Sequence, residues 1–122
     1  MILVATVAIL TEDYRRRRAL EAALISQGAS YAHVSRDGSA AIVIREPLLS
    51  DDLADQKRLR HVEFQHFEVD AGSLSTVSKL SEMETLMFQS CKFADERDLE
   101  LLANAEQIEN LHFWNTPVTD AS

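Results

Sequence analysis

The chain has 122 residues, 46% of them hydrophobic, which is enough for one buried core and leaves no need for a second domain. Twelve Lys and Arg stand against 20 Asp and Glu, a formal charge of −8, so the average field repels phosphate backbones and no nucleic-acid partner is expected. The single Cys excludes an internal disulfide framework and fits a reducing compartment, hence a cytoplasmic location. With three Gly and two Pro, nothing in the chain reads as a linker or a disordered tract.

Met1 to Leu10 (MILVATVAIL) is almost wholly apolar. It is too short to span the hydrocarbon of a bilayer, which takes about 20 helical residues. The arginines follow it rather than precede it, contrary to a signal peptide. Its Val and Ile predict a buried first strand, the alternative being the remnant of a membrane anchor; a membrane is otherwise not an expected partner. Thr11, Glu12 and Asp13 read as a helix start, and Gly28 as its stop after Leu20, Ala23, Leu24 and Gln27. Arg15 to Arg18, set among Glu12, Asp13 and Glu21, read as a solvated helix face. Tyr31 to Val34 reads as a strand. Residues 1–38 thus form an N-terminal capping segment of strand, helix and strand.

From Ser39 onward one pattern recurs. It runs Leu59, Val62, Phe64, Phe67, Val69 and Asp70 in LRHVEFQHFEVD. It runs again through Met83, Leu86, Phe88, Cys91, Phe93 and Asp95, and then through Ile108, Leu111, Phe113, Thr116, Val118 and Asp120. Val62 and Leu86 are 24 positions apart, Leu86 and Leu111 25. A weaker first copy, Ser39, Ile42, Ile44, Pro47, Leu49 and Asp51, precedes the second by 20. Between copies, Leu74, Val77, Leu80 and Met83, and then Leu99, Leu102, Ala105 and Ile108, recur every three residues, the spacing of one inward stripe on a short helix or 3₁₀ turn. The x-Leu-x-Phe pieces alternate with period two, as half-buried strands do. A unit of strand, turn and short helix this small cannot bury its apolar face alone, and stacking like units joins their faces into one core.

This spacing resembles the leucine-rich-repeat family, and the ending TPVTD is similar to the T-x-V-T-D repeats of bacterial members. The segment RRRALEAALISQGASY resembles the helix that often caps such arrays. The resemblance implies an α/β solenoid with a parallel sheet on the concave face and short helices on the convex face. About four repeats would occupy residues 39–122, the last incomplete, behind a helix-strand cap. The family's implied role is a non-enzymatic scaffold that binds another protein. Phe67, Cys91 and Thr116 fill a corner where the family often has Asn, so its hydrogen-bonded ladder is expected to be incomplete. A second resemblance, of the first strand, helix and second strand to a phosphoacceptor receiver domain, would make the chain a degenerate signalling domain with Asp37 or Asp51 as improvised acids. The acidic residues a receiver needs to hold Mg²⁺ are not at its strand ends.

No residue pattern asks for catalysis. His33, His61, His66 and His112 lack the spacing of a zinc motif, Cys91 falls at a repeat corner, and no Gly-rich phosphate loop or nucleophile elbow is present, so neither metal nor cofactor is expected. If the strands stack, the residues alternating with the buried ones form two columns on the sheet's outer face, Val43, Glu63, Met87, His112 and Arg45, Gln65, Gln89, Trp114. Arg45, Glu63, Gln65, Met87, Gln89, His112 and Trp114 are therefore the candidate protein-binding residues, with Trp114 as anchor. The last copy lacks a following helix, so either the natural protein continues there, or a further copy of the chain or a partner's repeat edge in an assembly role is a second expected contact.

Overall fold

The computed structural model describes residues 2–48, 52–56, 58–103 and 105–116. Helix α1 runs Ile2–Ser26 and is followed by strands β1 (Tyr31–Val34) and β2 (Ala40–Ile44). After a 3₁₀ turn at Asp52–Asp55 come β3 (Leu59–Gln65), β4 (Glu68–Val69) and helix α2 (Ala71–Ser78). Then follow β5 (Thr85–Gln89), β6 (Lys92–Phe93), a 3₁₀ helix at Glu96–Leu102 and β7 (Asn110–Trp114). The result is a mixed α/β domain whose five-stranded sheet has the order β1-β2-β3-β5-β7. β1 is antiparallel to β2, and every other pair in this sheet is parallel. β4 and β6 form a second, two-stranded parallel sheet.

The strand register follows the sequence period. Val62 faces Leu86, which faces Leu111, and Phe64 faces Phe88, which faces Phe113. The weaker first copy joins in step, with Ile42 opposite Val62 and Ile44 opposite Phe64, after a bulge between Ala40 and Ala41. Inside, the phenylalanine rings stack: Phe64 and Phe88 lie 5.3 Å apart at 7°, Phe88 and Phe113 5.3 Å apart at 13°. Phe67 tilts onto Phe64, and Phe93 meets Phe88 edge-on. Offset and edge-on contacts of this kind add to the area each ring buries.

The intervals between copies supply the opposing layer. Leu74, Val77, Leu80 and Met83 are fully buried, the inward stripe that their three-residue spacing predicts. Leu102, Ala105 and Ile108 repeat it less deeply. The recurrent Asp starts these segments. Asp70 caps α2 by accepting from the Ser73 N–H at 3.0 Å, and Asp95 caps the Glu96–Leu102 helix by accepting from the Arg97 N–H, also at 3.0 Å. Each takes up a donor that the first helical turn leaves unpaired. Asp51 and Asp120, with Leu49 and Val118, lie outside the described residues.

At the N-terminus the structure corrects the expectation. The apolar run is helix and not strand, and Thr11 lies in the interior of α1 instead of capping it. A strand there would need a sheet edge to bond with, whereas a helix closes its own i to i−4 bonds, and an apolar run of this length fits either period. The N-terminal segment is therefore one long helix followed by the antiparallel β1. The opening strand on which the likeness to a receiver domain depends is absent from Ile2 onward. Gly28 stops α1 as its sequence suggests: at φ +124 it lets its N–H reach the Ile25 carbonyl and the Ala29 N–H reach that of Leu24, a Schellman closure. A Cβ at Gly28 would also meet Leu48 Cδ2 at 2.8 Å. Arg15, Arg16 and Arg18 are exposed as expected, while Arg17 is half-buried beside Asp13 at 3.2 Å; Arg18 lies 3.5 Å from Glu21.

Phe88 is the ring with neighbours on both sides, and Phe113 is partly open. Phe88→Ala should cost about 3–5 kcal/mol in urea unfolding, and Phe113→Ala about 1–2 kcal/mol. Equal costs would show that the stack is not centred on Phe88.

Candidate protein-binding surface

Alternation along the strands leaves the face opposite the phenylalanine stack open, and the register sorts its side chains into rows. One row runs Tyr31, Val43, Glu63, Met87, His112 across all five strands. A second runs Arg45, Gln65, Gln89, Trp114, Arg45 lying just past the end of β2. A third runs His33, Ala41, His61, Thr85, Asn110. All seven candidate residues named from the sequence are thus brought to one face. Tyr31, His61 and Thr85 belong to it too and escaped the sequence argument: β1 has no place in the repeat, whereas His61 and Thr85 are in step with the period and were legible from it. The alternation of Tyr31 and His33 with buried Ala32 and Val34 was the available signal.

The first three members of the second row are bonded to one another. Arg45 Nε donates to Gln65 Oε1 at 3.1 Å, and Gln65 Nε2 donates to Gln89 Oε1 at 3.3 Å and to Glu63 Oε2 at 2.9 Å. These bonds hold four long side chains in place, which lowers the entropy lost when a partner orders them. At the end of the row the Trp114 indole is 68% exposed. Towards the other end of the sheet lies an apolar depression of about 190 Å³, flanked by Tyr31, Val43, His61, Glu63, Thr85 and Met87. The face therefore carries an exposed aromatic ring and an apolar hollow with a polar ladder between them.

The corners beyond the strands are built alike. His66, Ser90 and Asn115, each 24 or 25 residues from the next, have φ of 59°, 53° and 49°. This left-handed turn is sterically costly for residues other than glycine and easiest for Asn among these three. The corner ladder that Asn would complete is bonded at Cys91 and Thr116 and interrupted at Phe67. Cys91 donates its S–H toward the Phe64 carbonyl at 3.2 Å, with the Gln89 carbonyl at 3.4 Å. Thr116 Oγ1 repeats the arrangement, lying 3.2 Å from the Phe88 carbonyl and 3.0 Å from that of Trp114, and accepts from the Cys91 N–H at 3.1 Å. Thiol and hydroxyl do the bonding at two of the three corners; Phe67 packs at the other.

Cys91 and Asp37 are engaged in hydrogen bonds within the fold. Burial pushes the Cys91 thiol above its usual pKa, so the thiolate is disfavoured. Asp37 sits in the turn between β1 and β2 and accepts from the Ser39 N–H and hydroxyl, which hold its carboxyl below the usual range. Asp51 lies outside the described residues. His33, His61 and His112 are spread across the open face and His66 is at a corner; among the described residues no group of three or more His, Cys, Asp or Glu side chains is placed to hold a metal ion. No helix among the described residues is long and apolar enough to cross a membrane.

No protein-family model, no curated protein and no solved structure matches the chain. The geometry of the open face carries the functional argument alone.

The corner bonds give a direct check on Cys91. In the folded chain at about pH 8 it should resist iodoacetamide and become alkylated only on unfolding in urea. Rapid labelling without denaturant would contradict the buried, bonded thiol.

Proposed function

We propose that the chain is a non-catalytic protein-interaction module of the leucine-rich-repeat type, an α/β solenoid in which the open sheet face is the concave binding surface. The observation that carries this reading is the set of in-register rows, above all Arg45, Gln65, Gln89 and Trp114. Neighbouring strands lie about 4.8 Å apart, so a five-strand face is about 19 Å wide and accommodates a helix or loop of another polypeptide. Trp114 serves as the anchor, since an exposed indole offers large contact area for little rotamer entropy. The hollow beside Met87 takes an apolar side chain of the partner, and the thioether adapts to its shape. Glu63 and the net charge of −8 favour a partner whose contacting surface is neutral or basic.

Trp114→Ala should weaken capture of the partner at least ten-fold, with the circular dichroism spectrum unchanged. Met87→Glu should do the same by placing charge in the hollow, while Arg97→Ala, on an exposed side chain of the helical layer, should leave capture intact. Loss of capture with Arg97→Ala but not with Trp114→Ala would move the binding surface to the helices.

A further inference from the structure

Helix α1 is banded along its axis and not striped along one side. Its stretch from Ile2 to Leu10, helical where composition suggested a strand, carries no charge and a single hydroxyl, that of Thr6. Successive residues of a helix stand about 100° apart, so these nine cover every side. A helix that packs on a protein core shows one apolar stripe, whereas a helix apolar all round belongs in a wholly apolar surrounding. Close behind come Tyr14 and the run Arg15 to Arg18, which by the same count puts an arginine on each side of the helix. Tyr14 is 56% exposed, and Arg15, Arg16 and Arg18 are exposed as well.

The sheet holds α1 by its other end. Leu24 is buried, and Glu21 Oε1 accepts the Val34 N–H at 3.1 Å, whereas no side chain from Glu12 to Ala23 is buried. Arg18 precedes Leu24 by six residues, about 9 Å along the axis, so the basic band stands outside the core. Glu12 and Asp13 each have an arginine four residues on, Arg16 and Arg17, and Asp13 meets Arg17 at 3.2 Å. From Thr11 to Arg18 four arginines outweigh these two acids, a net +2 in a chain of −8, so the remainder carries −10. Basic band and acidic body are thus separated along the helix axis.

We propose that α1 docks the chain on an anionic lipid bilayer, with Ile2 to Leu10 in the hydrocarbon and Tyr14 and the arginines among the headgroups. A bilayer matches the bands in their order, because hydrocarbon surrounds a helix on every side and so does the layer of headgroups above it. A protein groove takes the apolar face of a helix and would leave the other sides of both bands unmatched. Helix is also the form that hydrocarbon demands, since it closes its backbone bonds within itself. The nine residues rise about 13 Å, a little under half of the roughly 30 Å of hydrocarbon, so the stretch enters one leaflet without crossing. Tyr14 then falls at the boundary with water, where an amphipathic ring is favoured. Charge selects the lipid: an anionic surface attracts the basic band and repels the acidic body, which holds the sheet off the membrane. The contact does not involve the open sheet face and is independent of partner binding there.

Flotation of the full chain with lipid vesicles tests this. Vesicles of phosphatidylcholine with about 30% phosphatidylserine should carry the chain up the gradient, and phosphatidylcholine alone should bind it at least about ten-fold more weakly. Arg15→Gln, Arg16→Gln and Arg18→Gln together should remove that preference, and Ile9→Asp should abolish flotation on both compositions. Arg97→Gln, a cation elsewhere on the surface, should change nothing. With Trp114→Phe removing the native indole, Leu10→Trp should report depth: its emission should shift to the blue on anionic vesicles and be quenched by lipids brominated along their chains. Absence of flotation on anionic vesicles would overturn the proposal, as would equal flotation on both compositions. Flotation that survives Ile9→Asp, or a Leu10→Trp indole that brominated chains do not quench, would also overturn it, since the apolar stretch would then lie outside the hydrocarbon. A chain that fails to float but forms oligomers dispersed by Ile9→Asp would assign the apolar stretch to a protein contact instead. If Ile9→Asp unfolds the chain, the quenching result decides by itself.

Discussion

Three phenylalanine rings stacked across three parallel strands hold the register of this sheet, and most other features depend on them. Neighbouring parallel strands are about 4.8 Å apart, and the rings of Phe64, Phe88 and Phe113 follow at 5.3 Å intervals with their planes nearly parallel. A slip of one residue along any strand would turn its phenylalanine to the open face and bring Glu63, Met87 or His112 inside. The stack therefore opposes such slips at each strand, with Val62, Leu86 and Leu111 one step behind it doing the same.

Because the register is held from inside, the outer face is determined as well. Residues that share a position in the period come to lie side by side, and a ladder of side-chain bonds forms wherever adjacent members are complementary, as Arg45, Gln65 and Gln89 are. The same logic shapes the corners, where His66, Ser90 and Asn115 turn the chain alike and Cys91 and Thr116 repeat one bonding arrangement. It also shapes the helical layer, entered through Asp70 and Asp95. Each of these devices recurs once per period. A surface so built can vary one side chain at a time, and that property suits the proposed role in binding a protein.

The repeating part of the molecule was legible because its signal is redundant: three copies of an aliphatic residue followed two positions later by Phe, spaced 24 and 25 residues apart, leave little freedom in how the strands pair. The pairing of Val43, Glu63, Met87 and His112 could be read before any coordinate. The N-terminus offered no such redundancy. Ile2 to Leu10 carries a β-branched composition without a second copy to align it, and periodicity does not separate a buried strand from a helix over so short a run. Its helical form follows from backbone bonds that it closes within itself. The left-handed corners were missed for a different reason. Asn115 alone is a residue that announces such a turn, and one instance without Gly or Asn at the equivalent His66 and Ser90 does not make a pattern. The hollow beside Met87 depends on Tyr31, a residue of the antiparallel strand outside the period.

The central claim is that residues about 24 positions apart occupy equivalent places on neighbouring parallel strands. Nuclear Overhauser contacts measured on isotopically labelled protein test it most directly. The account predicts ring-to-ring contacts from Phe64 to Phe88 and from Phe88 to Phe113, with backbone contacts between strands that rise together, from Val62 and Leu86 to Phe64 and Phe88. Close Hα to Hα contacts of antiparallel type between β3 and β5, or rings of Phe64 and Phe88 that show no mutual contact, would contradict it.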